Sequence, residues 1–213
     1  MNQMAIDRLP PAQKSRNRRL EGRKTALLIV DVQMGEVSEK AKKADPDYVA
    51  DVHARVVPAI RRLIDEVRGR GGEIVYTVIE CLTADCRDAS LDYKLSEMLY
   101  PKGGPDSKVI PEIAPGADDI LLPKSSSGVF NSTNVEYLLR NMGIENVIVV
   151  GLLTDQCVDM AVRDGADRGF YMICVPEACG THTRERHIGA LRAFAGYCRL
   201  QGVDELLASF VDA

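Results

Sequence analysis

No apolar run in this chain approaches the roughly 20 residues needed to cross a bilayer. The longest, around Ala26 to Val30 and Val147 to Leu153, have the length of buried strands, so no membrane association is expected. Basic residues are not in excess either. Lys and Arg number 27 against 31 Asp and Glu, leaving a net charge of -4, and no nucleic-acid partner is expected without a basic face. The cysteines at positions 81, 86, 157, 174, 179 and 198 form neither a CxxC pair nor a regular framework. The first 24 residues carry Lys14, Arg16, Arg18, Arg19, Arg23 and Lys24 around no apolar core, which is not the pattern of a secretory signal. Reduced thiols in a cytoplasmic compartment are therefore expected. Cys174, inside the apolar segment YMICV, reads as a small core residue.

At 213 residues, with 46% hydrophobic and 27% charged residues, the chain suits one globular domain with a substantial core. Residues 1–24 read as a basic arm, solvated or engaged in an oligomer contact, and residues 25–213 as a single domain. No internal repeat is visible.

Apolar runs and helical periodicity alternate along the domain. TALLIVDVQ gives a first strand over Ala26 to Val30, with Asp31 and Gln33 just past it. Apolar positions at helical spacing predict a helix over Asp47 to Arg70, with a kink or break at Pro58. EIVYTVI, Glu73 to Ile79, is the second strand. Glu80 to Gly116 is rich in Pro, Gly and charge and reads as a long excursion over one face, with a helical patch near Leu91 to Leu99. The third strand is expected over Asp119 to Leu122, followed by Pro123 and Lys124. Ser132 or Thr133 is then placed to cap a helix closing at Gly143. A fourth strand over Asn146 to Val150 leads to a helix from Cys157 to about Arg168. A fifth strand from Phe170, a helix through RERHIGALRAFAGYC, a short strand near Arg199 to Gln201 and a helix over Val203 to Phe210 complete the chain. This alternation predicts an α/β fold, a three-layer α-β-α sandwich around a mainly parallel, roughly six-stranded, Rossmann-like sheet.

In such sheets, sites form at the carboxyl ends of the strands. Three chemically complementary groups fall there: Asp31 after the first strand, Lys124 after the third and Cys157 just past the fourth. A cysteine at a helix start gains from the helix dipole and the unsatisfied N–H groups, which favour its thiolate. Asp31 is placed to take the thiol proton and return it to a leaving nitrogen. Lys124 supplies a positive charge that steadies both. The N–H groups of Leu153 and Cys157 are placed to meet a developing oxyanion.

LLIVDVQ with Asp31, LPKSSSGVF with Lys124 and VVGLLTDQCV with Cys157 occur in this order. On these strings, over about Thr25 to Leu207, the chain resembles the isochorismatase-like cysteine hydrolases, a superfamily that includes nicotinamidases, N-carbamoylsarcosine amidohydrolase and ureidoacrylate amidohydrolase. The resemblance implies the superfamily's fold, an Asp-Lys-Cys triad, a non-proline cis peptide near Leu152–Leu153 that turns an amide toward the oxyanion, and a homo-oligomer, dimer or tetramer. Nicotinamidases carry an Asp-x-His metal motif after the second strand. Here that region reads TVIECLTADC without histidine, so no metal and no other cofactor are expected. His53, His182 and His187 are scattered and read as surface or structural residues.

The branch that cleaves the vinyl ether of isochorismate resembles this chain but typically has no nucleophilic cysteine. Cys157 therefore favours hydrolysis of a C–N bond in a small amide, ureide or carbamoyl compound through a thioester. Isochorismatase-type ether hydrolysis and a non-hydrolytic thiol redox or binding role on the same scaffold are the alternatives. Candidate substrate contacts are Gln33, Tyr76, Glu80, Arg87, Phe130 and Asn131, with Arg87 the cation suited to a carboxylate or ureido group. Specificity is expected to lie in the Glu80 to Gly116 excursion and the Ser125 to Asn131 turn.

Overall fold

Six strands form one sheet in the order β3-β2-β1-β4-β5-β6, and every neighbouring pair is parallel. They are β1 (Thr25–Val30), β2 (Glu73–Ile79), β3 (Ile120–Lys124), β4 (Asn146–Leu152), β5 (Tyr171–Gly180) and β6 (Arg199–Leu200). A computed structural model of the chain describes residues 17–211. β1 and β4, at the centre, are buried at every position. Helices cover both faces of the sheet, so these strands read as continuous apolar runs rather than alternating ones. From β1 the chain winds outward to β3 on one side and from β4 to β6 on the other. The reversal of strand order thus falls between β1 and β4, where a crevice opens at the carboxyl ends.

The third strand runs two residues further than expected, through Pro123 and Lys124, which lie in register with Val78 and Ile79. β3 is an edge strand, so the N–H that Pro123 does not have is not needed by a further neighbour. The α-helical hydrogen bonding expected over Asp47 to Arg70 is interrupted, but upstream of Pro58. α1 (Glu39–Ala44) and α2 (Pro46–Asp51) are followed by a π turn over Val52–Val56, and α3 (Val57–Gly69) then starts with Pro58 in its first turn. The helical backbone is continuous from α2 through α3, and the π turn just ahead of Pro58 is where the hydrogen-bond ladder accommodates its missing N–H.

In the excursion, α4 (Leu91–Leu95) is a single short helix. Ile79, Cys81, Cys86, Ala89 and Tyr93 form a small apolar cluster of their own beneath it. α5 (Val129–Ser132) and α6 (Val135–Asn141) replace the one helix expected after Lys124. Ser132 ends α5, and Thr133 Oγ1 accepts the Val135 N–H at 3.1 Å, so only Thr133 acts at the start of α6. α7 (Asp159–Asp167), α8 (Arg184–Phe194) and α9 (Val203–Ala208) complete the helices.

The basic arm is partly docked. Leu20 is fully buried and bridges to Phe210, while Arg19 Nη2 donates to the Phe210 carbonyl at 2.8 Å. The remainder of the arm, residues 1–16, lies outside the described residues. Among the described residues no helix is long and apolar enough to cross a membrane.

One glycine decides whether the central strands can close. Gly151 has φ +116°, and a Cβ there would stand 2.1 Å from the Val30 carbonyl oxygen. Neither the backbone conformation nor the space admits a side chain. Gly151→Ala is expected to destabilise the fold by about 3 kcal/mol or more. A urea-unfolding midpoint equal to that of the wild type would contradict this packing.

Candidate active site

β1 leaves the sheet through Asp31, which adopts the left-handed conformation (φ +54°) that aspartate tolerates better than most residues. Its backbone N–H donates to the Thr77 carbonyl at 3.1 Å, and its Oδ1 accepts from the Thr77 hydroxyl at 2.7 Å. The carboxylate is thereby fixed above β2. Lys124 stands at the end of β3, with β2 lying between it and β1. Only a long side chain spans that gap, and Lys124 Nζ reaches Asp31 Oδ2 at 2.8 Å, the two side chains being 0% and 2% exposed.

Cys157 completes the group. β4 ends at the Leu152–Leu153 peptide, which is cis. The chain then enters a π turn over Thr154–Val158 that carries Cys157 back over the sheet end. Lys124 Nζ lies 3.4 Å from Cys157 Sγ, 3.2 Å from the Tyr93 hydroxyl and 3.0 Å from the Ser126 carbonyl. The Tyr93 hydroxyl is 3.9 Å from Sγ. From α8, His187 Nδ1 meets the Thr154 hydroxyl at 2.8 Å and pins the turn.

The electrostatics differ from the helix-start expectation. Burial, reinforced by the charge on Asp31, pushes the Cys157 thiol up to about 12 against the opposing pull of Lys124. The helix dipole is outweighed because Cys157 is buried and sits beside the Asp31 carboxyl. Burial alone would lower the Lys124 ammonium, but Asp31, Cys157 and Tyr93 outweigh it and hold Lys124 above its usual value. Burial and Asp31 thus act on this thiol in the direction opposite to a helix start. Burial lowers His187 to about 4, so this imidazole is neutral.

Alkylation of Cys157 by iodoacetamide, located by peptide mass mapping, is expected to accelerate continuously from about pH 7 to about pH 10, because the reactive thiolate is still a minor species there. A plateau near neutrality would show a thiolate at rest and contradict this assignment.

A cavity of about 20 Å³ adjoins Cys157, lined by Asp31, Glu36, Ile79, Met98, Leu152, Leu153, Gln156 and Cys157. Leu153 and Cys157, whose N–H groups are the expected oxyanion donors, both belong to it. A second cavity of about 400 Å³ lies outside, and Met98 and Gln156 line both. Burial raises the Glu36 carboxyl above its ordinary value, opposed by a hydrogen bond from Tyr48.

The structure places the expected substrate contacts elsewhere. Gln33 is fully buried, with its amide nitrogen donating to the Ile79 and Asp106 carbonyls and its oxygen accepting the Ile79 N–H at 2.6 Å. It ties β1 to β2 and has no donor left for a substrate. Tyr76 precedes Thr77 on β2 and so faces the opposite side of the sheet, buried near Asp119 and Arg68. Glu80 holds the loop by accepting the Gly103 N–H at 2.6 Å. Arg87 is exposed and paired with Asp85 at 2.9 Å. Phe130 is buried against Phe170, ring centroids 5.9 Å apart, under α7. Asn131 is exposed and lines neither cavity.

Thr77, Tyr93, Glu36, Met98 and Gln156 stand around Asp31, Lys124 and Cys157 instead. Thr77 carried one readable signal, a hydroxyl in the middle of an apolar strand. Tyr93 and Met98 carried none, because the fold of the excursion decides where they point. Of the histidines, His53 and His182 are partly exposed, with Nδ1 3.5 Å from Glu112 Oε1 and 3.0 Å from Asp45 Oδ2 respectively. Among the described residues no cluster of three or more His, Cys, Asp or Glu side chains is arranged to hold a metal ion.

Comparison with known proteins matches this geometry to a family. Ureidoacrylate amidohydrolase RutB of Acinetobacter baylyi is 26% identical over 171 residues, covering 73% of this chain and 70% of its own. The N-carbamoylsarcosine amidase of Thermoplasma acidophilum superimposes with a TM-score of 0.71 at 26% identity, covering 85% of this chain and 97% of its own. A cysteine hydrolase of Pseudomonas syringae pv. phaseolicola shares the fold with a TM-score of 0.80 at 19% identity, over 95% of this chain and 97% of its own. The Isochorismatase domain model matches residues 25–203, and the chain belongs to the isochorismatase family of hydrolases.

Proposed function

We propose that this hydrolase is a cysteine amidohydrolase that cleaves a C–N bond of a small amide, ureide or carbamoyl compound. The observation that carries the reading is the buried contact of one thiol with a carboxylate–ammonium pair: Cys157 Sγ lies 3.4 Å from a Lys124 Nζ that is itself 2.8 Å from Asp31. A thiol placed so has a base to activate it and a cation to balance the negative charge that results.

Asp31 takes the Cys157 proton as the sulfur attacks the carbonyl carbon. The oxygen of the tetrahedral intermediate is met by the N–H groups of Leu153 and Cys157. Asp31 returns the proton to the departing nitrogen, the C–N bond breaks, and a thioester remains on Cys157. Water then attacks the thioester, giving up a proton to Asp31, and the acid product and thiol are released. Lys124 keeps the site near electrical balance throughout, which matters more in a dry cavity than in water. The inner cavity has room for about one water molecule, so substrate passes from the outer cavity to Cys157 as Met98 and Gln156 move aside.

The test is an ammonia-release screen over neutral, cationic and anionic amides and ureides, with isochorismate assayed for pyruvate in parallel. Ammonia or amine from at least one amide is expected. Pyruvate from isochorismate with no C–N cleavage across the screen would overturn the reading in favour of ether hydrolysis.

A further inference from the structure

The inner cavity contains a second acid that takes no part in the steps above. Glu36 enters its wall from a short 3₁₀ turn, Met34–Val37. The Tyr48 hydroxyl donates to Glu36 Oε2 at 3.0 Å. Tyr48 is buried and its ring packs against His182, centroids 4.6 Å apart and tilted by 43°, so the carboxyl is held from behind. Among the described residues no Lys, Arg or His forms an ion pair with Glu36.

Its surroundings fix what this acid can recognise. Asp31 is the other charged residue lining the cavity, and its charge is matched by Lys124. Ile79, Met98, Leu152 and Leu153 make the wall apolar. In the outer cavity Asp155 is matched by Arg186 and Asp159 by Arg163, so Asp92 is the acid that it adds and, among the described residues, no unpaired cation lines it. Arg87, the cation expected to hold a substrate carboxylate, is spent on Asp85 outside both cavities. An unpaired carboxylate in apolar surroundings attracts N–H donors and cations and repels anions far more strongly than it would in water.

We propose that Glu36 is the specificity-determining residue of this site, selecting amides or ureides that present N–H donors, a protonated amine above all, and excluding those that bear a carboxylate. The proposal rests on the amidohydrolase reading for its substrate class, whereas the charge preference it assigns to the cavity does not. That preference sets this chain apart from a hydrolase for anionic amides such as maleamate.

The test uses the charge preference directly. Cys157 is modified at about pH 8 with a matched pair of thiol reagents, aminoethyl and sulfonatoethyl methanethiosulfonate. Rates are normalised to glutathione and sites are assigned by peptide mass mapping. The wild type is expected to favour the cationic reagent about tenfold or more, and Glu36→Gln, which keeps the shape and the Tyr48 contact, to lose most of that preference. Equal normalised rates in the wild type would overturn the proposal without any variant, and an undiminished preference in Glu36→Gln would overturn it too. Turnover of glycinamide against maleamate adds an independent arm. Cationic preference there supports the proposal and maleamate preference contradicts it. If neither releases ammonia, the amidohydrolase reading is decided by the wider screen, while the labelling ratio still decides the role of Glu36.

Discussion

Cys157→Ala is expected to lower amide hydrolysis by about 10⁴-fold or more while leaving the fold intact. Mechanism and stability separate here because the thiol is small. Cys157 is 4% exposed, and deleting one sulfur atom from such a position costs about 1 kcal/mol, too little to unfold a domain of this size. The chemical loss has no such limit, since the thioester cannot form without the sulfur. Cys157→Ser sharpens the point: it keeps the volume, yet its hydroxyl is a far weaker acid than the thiol, so Asp31 cannot ionise it usefully. Both variants are expected to show wild-type circular dichroism and background ammonia release. A serine variant retaining a substantial fraction of wild-type turnover would contradict the mechanism.

The second large effect concerns stability as much as rate. Lys124→Met leaves the Asp31 carboxylate buried and without its cation, and breaking a buried ion pair from one side typically costs about 3–5 kcal/mol. Chemical denaturation is expected to show a loss of that size together with loss of activity. The double variant Asp31→Asn with Lys124→Met removes both charges, so it is expected to recover much of the stability and none of the activity. If the single variant were as stable as the wild type, the pair observed at 2.8 Å could not be the buried interaction described here.

Much of this was readable from the chain, for a physical reason that also sets its limit. β1 and β4 are covered on both faces, so TALLIV and NVIVV announce themselves as unbroken apolar runs. Polar groups at the ends of such runs fall on the sheet edge where sites assemble, which is why Asp31, Lys124 and Cys157 group together in the sequence alone. Side-chain direction was less legible. Tyr76 and Thr77 are neighbours in sequence on opposite faces of one strand, and the register with β1 decides which of them meets Asp31. Arg87 and Tyr93 lie six positions apart in the excursion. Only its folding onto the small cluster around Ile79 and Cys86 sends Tyr93 inward and leaves Arg87 in solvent. Phe130 becomes core rather than a substrate contact because α5 packs against α7 and seats its ring on Phe170.

The expectation for the thiol itself failed in direction. A helix start promises a lowered thiol, but that argument counts one field in isolation. Here burial and the adjoining Asp31 carboxylate act the other way and win. The correction bears on mechanism. A thiolate stabilised at rest would need no base, whereas a raised thiol fits the proposed role of Asp31 in taking its proton as attack occurs.

The central claim is the covalent intermediate on Cys157, and rapid-quench intact-protein mass spectrometry with a turned-over amide tests it most directly. The account predicts a mass increase equal to the substrate's acyl group, mapped to the peptide containing Cys157 and absent from Cys157→Ala. Turnover that proceeds with the acyl group on another side chain, or undiminished in Cys157→Ala, would contradict it.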